Sequence, residues 1–201
     1  MAKAPSRYRP RRIVLRNGRE ITLRAIIESD AGHITRAFER LSDDSRYQRF
    51  LQHKKHINAE ALERGVHPRP GRDFVFVATV PAGDTIDIVG AAQYVRAHES
   101  DSKTCEFAIT VAEDWRGTGL ARQLLSSLVR RAPHDGYATI EGLVLASNAP
   151  MIALARRLKF KVEPVADAAS VVRVYRTLAP ARRRMSTVRP GPQSGVPAQA
   201  A

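Results

Sequence analysis

Glycines and charge meet at one place in this chain, Glu113-Asp114-Trp115-Arg116-Gly117-Thr118-Gly119-Leu120-Ala121, and chemistry is most readily built there. A strand-like run, 104–112, leads into it, and a helix-like run, 118–131, leads out. The first turn of a helix has unpaired backbone N–H groups and the positive end of the helix dipole, a combination that holds anions. Gly117 and Gly119 permit positive φ and leave no Cβ in the way, so a phosphate can touch the backbone itself. The pattern predicts a phosphate-bearing ligand.

Spacing separates the classes of phosphate site. A P-loop ends in Gly-Lys-Ser or Gly-Lys-Thr, and no Lys follows Gly119. The dinucleotide fingerprint comes closer, because Glu141 lies ~20 residues beyond Gly117-x-Gly119, but Arg122 stands where the third small residue belongs. Glu141 also begins the next strand-like run, whereas the ribose-binding acid of that fold ends its strand. What remains, Arg116 with Gly119 and Ala121 in the spacing Q/R-x-x-G-x-G/A, resembles motif A of the GNAT superfamily of acyl-CoA-dependent N-acetyltransferases.

The loop needs elements to hold it. Residues 20–26 alternate like a half-buried strand, and Ser29-Asp30 then offers caps for a helix over 31–41, with Ile34, Ala37, Phe38 and Leu41 on one face. Ser42-Asp43-Asp44 opens a second helix running to Leu51, and Asn58 caps a third that runs to Arg64. Strands over 73–80 and 86–97 flank the turn Pro81-Ala82-Gly83-Asp84, and 104–112 completes a meander. Beyond the glycine loop come the helix to Arg131, a strand over 138–147, a helix over 149–158 and strands near 160–165 and 171–178.

This order of elements resembles that of the GNAT superfamily along nearly the whole of 16–178. Within the superfamily the chain looks most like the catalytic domain of bacterial protein-lysine acetyltransferases. The likeness is carried by Leu15 to Arg24, Phe38 to Tyr47, Glu106 to Val111 and Asn148 to Phe160. The fold it implies is α/β (α+β): a central mixed, mostly antiparallel sheet of about seven strands flanked by helices. One departure stands out, since Lys159 replaces the glycine that usually precedes the aromatic residue here Phe160, which puts that turn's geometry in question.

The resemblance implies acetyl-CoA as acyl donor. Its pyrophosphate would lie on the backbone of Arg116, Gly117, Thr118, Gly119, Leu120 and Ala121, and its pantetheine arm along the strand edge at Ile109, Thr110 and Val111. Arg116 or Arg122 could add charge near the phosphates. Asn148 stands where the family places an asparagine close to the reactive end of the cofactor, and an asparagine before a helix is also a good N-cap.

Acetyl transfer sets its own demand. A lysine amine with a pKa near 10.4 is neutral in only about 1 molecule in 2,500 at pH 7, and only the neutral amine attacks a thioester. Glu106, ten residues before Arg116, occupies the place where the protein-lysine branch carries a proposed general base. A carboxylate midway along an apolar strand is unusual, because burial there would cost the charge its solvation. Strand alternation turns Cys105 to the opposite face, as a core residue. Many family members carry a tyrosine as proton donor to the leaving thiolate where Ala155 stands here, and the protein-lysine branch lacks it too.

Composition bounds the remainder. At 201 residues and 43% hydrophobic, the chain has material for one core, expected over 13–179. The formal charge of +13 gathers at the ends: Lys3, Arg7, Arg9, Arg11 and Arg12 in a basic N-terminal tail, 1–12, and Arg182, Arg183, Arg184 and Arg189 in a Pro/Gly/Ala-rich tail expected to be disordered, 180–201. Such tails could touch nucleic acid, although a solvated extension is the simpler reading. No apolar run reaches the ~18 residues of a bilayer span, and the lone cysteine suits a reducing compartment, so the expectation is a cytoplasmic protein without a membrane segment. His53 and His56 are spaced as two ligands but lie beside Lys54 and Lys55, and no metal is expected. The acceptor is expected to be an amine, with a protein lysine first and a small amine second; the alternative from another class is a module of this fold that binds acyl-CoA or nucleic acid without turnover.

Overall fold

The computed structural model describes residues 8–52, 55–98, 100–166 and 168–180. Its centre is one sheet of eight strands: β1 (Arg11–Val14), β2 (Glu20–Ala25), β3 (Phe74–Ala82), β4 (Thr85–His98), β5 (Asp101–Val111), β6 (Thr139–Leu145), β7 (Lys161–Pro164) and β8 (Val171–Thr177). They lie in the order β1-β2-β3-β4-β5-β6-β8-β7, antiparallel at every pair except the parallel β5–β6. The mixed, mostly antiparallel sheet is the one expected, with one strand more.

That strand is β1. The basic run read as a tail, 1–12, ends in Arg11-Arg12, which with Ile13-Val14 pairs with β2 and sets Ile13 opposite Ile21. Tyr8 packs edge-on against Phe76, ring centroids 4.6 Å apart. Among the described residues the folded body thus includes Tyr8 and Arg11–Val14, held by these apolar contacts although charge dominates the local composition. The tail expected at 180–201 lies, from residue 181 on, outside the described residues, as do His53 and Lys54.

Helices cover both faces. α4 (Leu120–Arg131) and α5 (Ala149–Arg157) pack on the main core, where Leu120, Leu124, Leu125 and Leu128 of α4 have no exposed surface. Their spacing places all four on one stripe of the helix. On the opposite face α1 (Ala31–Glu39) and α3 (Ala59–Val66) close over a smaller cluster around Val75, Val77 and Ile88, with α2 (Asp43–Phe50) lying against β5. Gly90 of β4 lets α4 come close: a Cβ there would sit 3.0 Å from Leu124 Cδ1 and 3.1 Å from Leu120 Cδ2. At its C-terminal end α4 is tied to β4 through Asp135, which takes the Tyr94 hydroxyl and a 2.8 Å ion pair from Arg131.

Two local expectations change. Pro81 and Ala82 belong to the β3–β4 ladder, paired with Ile86 and Thr85, so the hairpin turn is only Gly83-Asp84, with Gly83 at φ +61°. The turn at Lys159 forms despite the missing glycine: Lys159 itself takes φ +65°, and Phe160 N–H donates to Ala155 O at 3.0 Å to end α5.

Candidate active site

Strand geometry makes the site. β5 and β6 pair only at Thr104–Thr139, Cys105–Ile140 and Glu106–Glu141, yet β5 continues to Val111 and β6 to Leu145. Beyond Glu106 the two strands separate and leave a gap in the sheet. Gly142 sits at the fork: a Cβ on it would lie 3.1 Å from both the ring and the carbonyl oxygen of Phe107. Phe107 in turn meets Phe160 edge-on at 5.5 Å, which fills the floor beneath the gap.

The gap opens into a cleft of about 640 Å³. Its walls include Glu106, Ile109, Thr110, Val111, Arg116, Gly117, Gly119, Leu120, Ala121 and Asn148; of the residues the sequence assigned to the site, the buried Thr118 and the exposed Arg122 stand outside its lining. Ser45, Gln48 and Arg49 of α2, Leu143 of β6 and Met151 of α5 complete much of the rim.

The glycine loop behaves as an anion cradle. Gly117 has φ +74° and Gly119 φ +91°, and Gly119 is the N-cap of α4, so the helix starts two residues later than its sequence suggests. Thr118 braces the turn, donating to Trp115 O at 2.7 Å and accepting from Leu120 N at 3.3 Å. The N–H groups of Gly117, Thr118, Gly119, Ala121 and Arg122 meet no acceptor among the described residues. A Cβ placed on Gly117 would meet nothing within 4 Å. Open donors at a helix N-terminus beside empty space suit a pyrophosphate.

Side chains tie the loop to its neighbours and add charge around it. Arg116 donates from Nη2 to Ser45 Oγ at 2.6 Å, which ties the loop to α2. Arg122 is exposed in the first turn of α4 and makes no side-chain hydrogen bond or ion pair among the described residues. Arg16, in the β1–β2 connection, lays its Cγ and Cδ 3.8 Å from the Cβ position of Gly119, and Arg19 of the same connection donates to Asp114 O at 2.9 Å, so two more arginines join the loop. Only the packing of that hairpin on the loop reveals them, since both are about a hundred residues away in sequence. Asn148 acts as the cap: its Oδ1 accepts from Met151 N at 3.1 Å, and its Nδ2 donates to Gln48 Oε1 at 3.4 Å across the cleft.

Glu106 stands where the strands part. It is exposed rather than buried, a correction to the sequence expectation, because α2 covers β5 only in part and leaves this side chain at the mouth. Its parallel neighbour Glu141 is neutralised by Arg173, whose Nη2 lies 2.5 Å from Oε2. Over Glu106 lies Arg49, half-buried near the end of α2, and burial pushes its pKa down to about 10 while the Glu106 charge resists that fall. Cys105 faces the opposite way, fully buried, and burial pushes its thiol up well beyond the usual range. It is a core residue. Among the described residues no three histidine, cysteine or carboxylate side chains gather as a metal site would require. Among them also no helix is long and apolar enough to cross a membrane.

A parallel pair that parts, an amide-lined loop at a helix start and a carboxylate at the fork thus face one open cleft. The sequence profile of the acetyltransferase (GNAT) domain matches residues 20–161, and the chain belongs to that family and is an acyltransferase. It is 29% identical over 146 residues to an acetyltransferase of Pseudomonas aeruginosa, covering 73% of this chain and 77% of that one. A second relative, the L-methionine sulfoximine/L-methionine sulfone acetyltransferase of the same species, is 36% identical over 90 residues, 44% of this chain and 51% of that protein. Among solved structures, the GNAT domain of S. lividans PAT superimposes with a TM-score of 0.77 at 23% identity, covering 84% of this chain and 97% of that one. An acetyltransferase of Salmonella typhimurium, solved with its cofactor acetyl-CoA, gives a TM-score of 0.63 at 19% identity and covers 79% and 94%.

Proposed function

We propose that the protein is an acetyl-CoA-dependent N-acetyltransferase in which Glu106 is the general base for a primary amine. The observation that carries this reading is the position of Glu106, on the wall of the same cleft as the amide loop and at the point where β5 and β6 part. The residues suit acetyl-CoA on three counts: the unpaired N–H groups at 117–119 and 121–122, the empty space over Gly117, and the free edge of β5 at Ile109 to Val111.

Acetyl-CoA, when bound, supplies a thioester carbonyl that an amine can attack. Backbone donors at Gly117, Gly119 and Ala121 hold negative charge at one end of the cleft, helped by Arg16 and Arg122. Glu106 accepts the proton that the attacking amine must lose. An N–C bond forms and the C–S bond breaks, so the products are an acetamide and CoA, whose thiolate takes its proton from solvent. No tyrosine lines the cleft among the described residues, and Ala155, at the place of the usual donor, is fully buried. Asn148 and Gln48 meet over the cleft and limit where the acyl end can lie.

Two acceptor classes have support. A protein lysine is what the likeness to the protein-lysine branch implies, and the exposure of Glu106 and of Leu143, 47% accessible, leaves the mouth open to a protein surface. A small amine is supported by an apolar cavity that adjoins the cleft at Arg49, and this second feature is the more specific one. The test is titration with acetyl-CoA beside thiol release over lysine peptides and small amines, repeated with Glu106→Gln. Retained cofactor binding with at least a hundred-fold loss of kcat supports the base; unchanged kcat removes Glu106 from that role.

A further inference from the structure

On the face of the sheet that Glu106 shares with Ala108 and Thr110, a second cavity of about 190 Å³ lies between β4, β5 and helices α1, α2 and α3. Its walls are mainly apolar, with Ile34, Phe38, Leu62, Val75 and Ile88 among them. Three residues, Arg49, Phe50 and Thr110, line both this cavity and the cofactor cleft, so the two spaces adjoin. A cavity of ~150 Å³ accepts benzene, so this one has room for the side chain of leucine or phenylalanine.

Arg49 stands at the junction. Its guanidinium lies 4.7 Å from the Phe50 ring centroid and has neither an ion pair nor a hydrogen bond to another described residue. With a pKa of about 10 it remains charged at neutral pH. Half-burying an arginine that no ion pair or hydrogen bond satisfies is unfavourable even with the Glu106 charge nearby, and its planar fork is shaped for a carboxylate. A cation beside the base also repels a bare ammonium, whereas an acceptor that brings its own negative charge is drawn in.

Resting on the acetyl-transfer reading above, we infer that the acceptor is an amino acid or a compound of that chemistry, with its carboxylate on Arg49, its amine toward Glu106 and an apolar side chain in the 190 Å³ cavity. Arg49 is then a specificity-determining residue, and the cavity sets which side chains are taken.

The experiment compares L-leucine with L-leucinamide and 3-methylbutylamine, which keep the amine and the side chain but lack the carboxylate. Binding is read by calorimetry on the CoA-loaded protein, and turnover by thiol release. The expected result is at least a ten-fold advantage in Kd and kcat/KM for leucine. That advantage disappears in Arg49→Gln and is partly kept in Arg49→Lys, while the amide and the amine change little. Ala61→Phe, which crowds the cavity wall, should raise KM for leucine and leave glycine unaffected. Circular dichroism melts establish that each variant is folded. Equal handling of the three compounds, or an equal loss on all three in Arg49→Gln, overturns the inference. Turnover of lysine peptides with no binding of leucine overturns it too, and leaves the acetyltransferase reading standing. Arg49-dependent binding of leucine without acetylation upholds the site and defeats the acetyl-transfer reading instead.

Discussion

Glu113 accepts the backbone N–H of Ser42 at 2.9 Å from across 71 residues of sequence. The same oxygen takes the Ser45 hydroxyl at 2.9 Å, and Ser45 Oγ also accepts from Arg116 at 2.6 Å. The glycine loop is thereby clamped to the first turn of α2, whose last turn carries Arg49. The loop and α2 share one brace.

That brace titrates. Hydrogen bonds from Ser42 and Ser45, with some help from Arg116, hold the Glu113 carboxyl down to about 2, against an ordinary 4.5. A depressed folded-state pKa contributes stability that is present above the unfolded value and lost as pH falls through the folded one. The contribution should therefore be complete above about pH 4.5 and fade toward pH 2. Melting temperatures of the wild type and Glu113→Gln should differ at pH 7 and converge across that window; a gap unchanged down to pH 2 would show that Glu113 is not the titrating group.

Gly142→Ala tests the fork between β5 and β6. Its Cβ would press on the backbone oxygen of Phe107 as well as on its ring, both at 3.1 Å, and a backbone atom yields less readily than a side-chain tip. The expected cost is ~1–3 kcal/mol of stability, with weaker acetyl-CoA binding because the cleft floor shifts. Urea denaturation and cofactor titration measure the two effects separately.

Gly117→Ala should leave the fold intact and damage the loop. The φ of +74° is strained for alanine by ~1–2 kcal/mol, although the space around the new methyl group is empty. Affinity for acetyl-CoA should fall about ten-fold if that strain is relieved by moving the amides away. Calorimetry reads the affinity directly, and an unaltered Kd would mean that the loop keeps its shape.

Lys159→Gly should stabilise the protein. Lysine at φ +65° carries left-handed strain that glycine does not, and the hydrogen bond closing the turn is made by backbone alone. Allowing for the greater freedom of glycine in the unfolded chain, the gain should be ~0.5–1 kcal/mol in denaturant midpoint experiments, without effect on turnover.

Much of the fold was legible because periodicity reports burial. The alternation of 20–26, the leucine stripe of α4 and the apolar run at Phe74 to Val80 each name an element and its inner face. β1 was not legible, since Arg11 and Arg12 mask a strand whose burial depends on Ile13 meeting Ile21 and Tyr8 meeting Phe76. The sequence places Glu106 on its strand but does not reveal its environment, which is exposed rather than buried. How far α2 covers β5 is a property of packing, and it left that carboxylate in the open.

What the sequence by itself determined is the backbone chemistry of the site: glycines at 117 and 119, a helix beginning just after them, and a strand just before them with a carboxylate on the face opposite Cys105. These are local facts, set by conformational freedom and by the period of a strand. Only the tertiary structure decided the parting of β5 from β6, the arrival of Arg16 at the loop, the use of Arg116 as a tie to Ser45, and the meeting of Arg49 with an apolar cavity. Each of these joins residues far apart in the chain, and such contacts follow from how whole elements pack rather than from the pattern within any one of them.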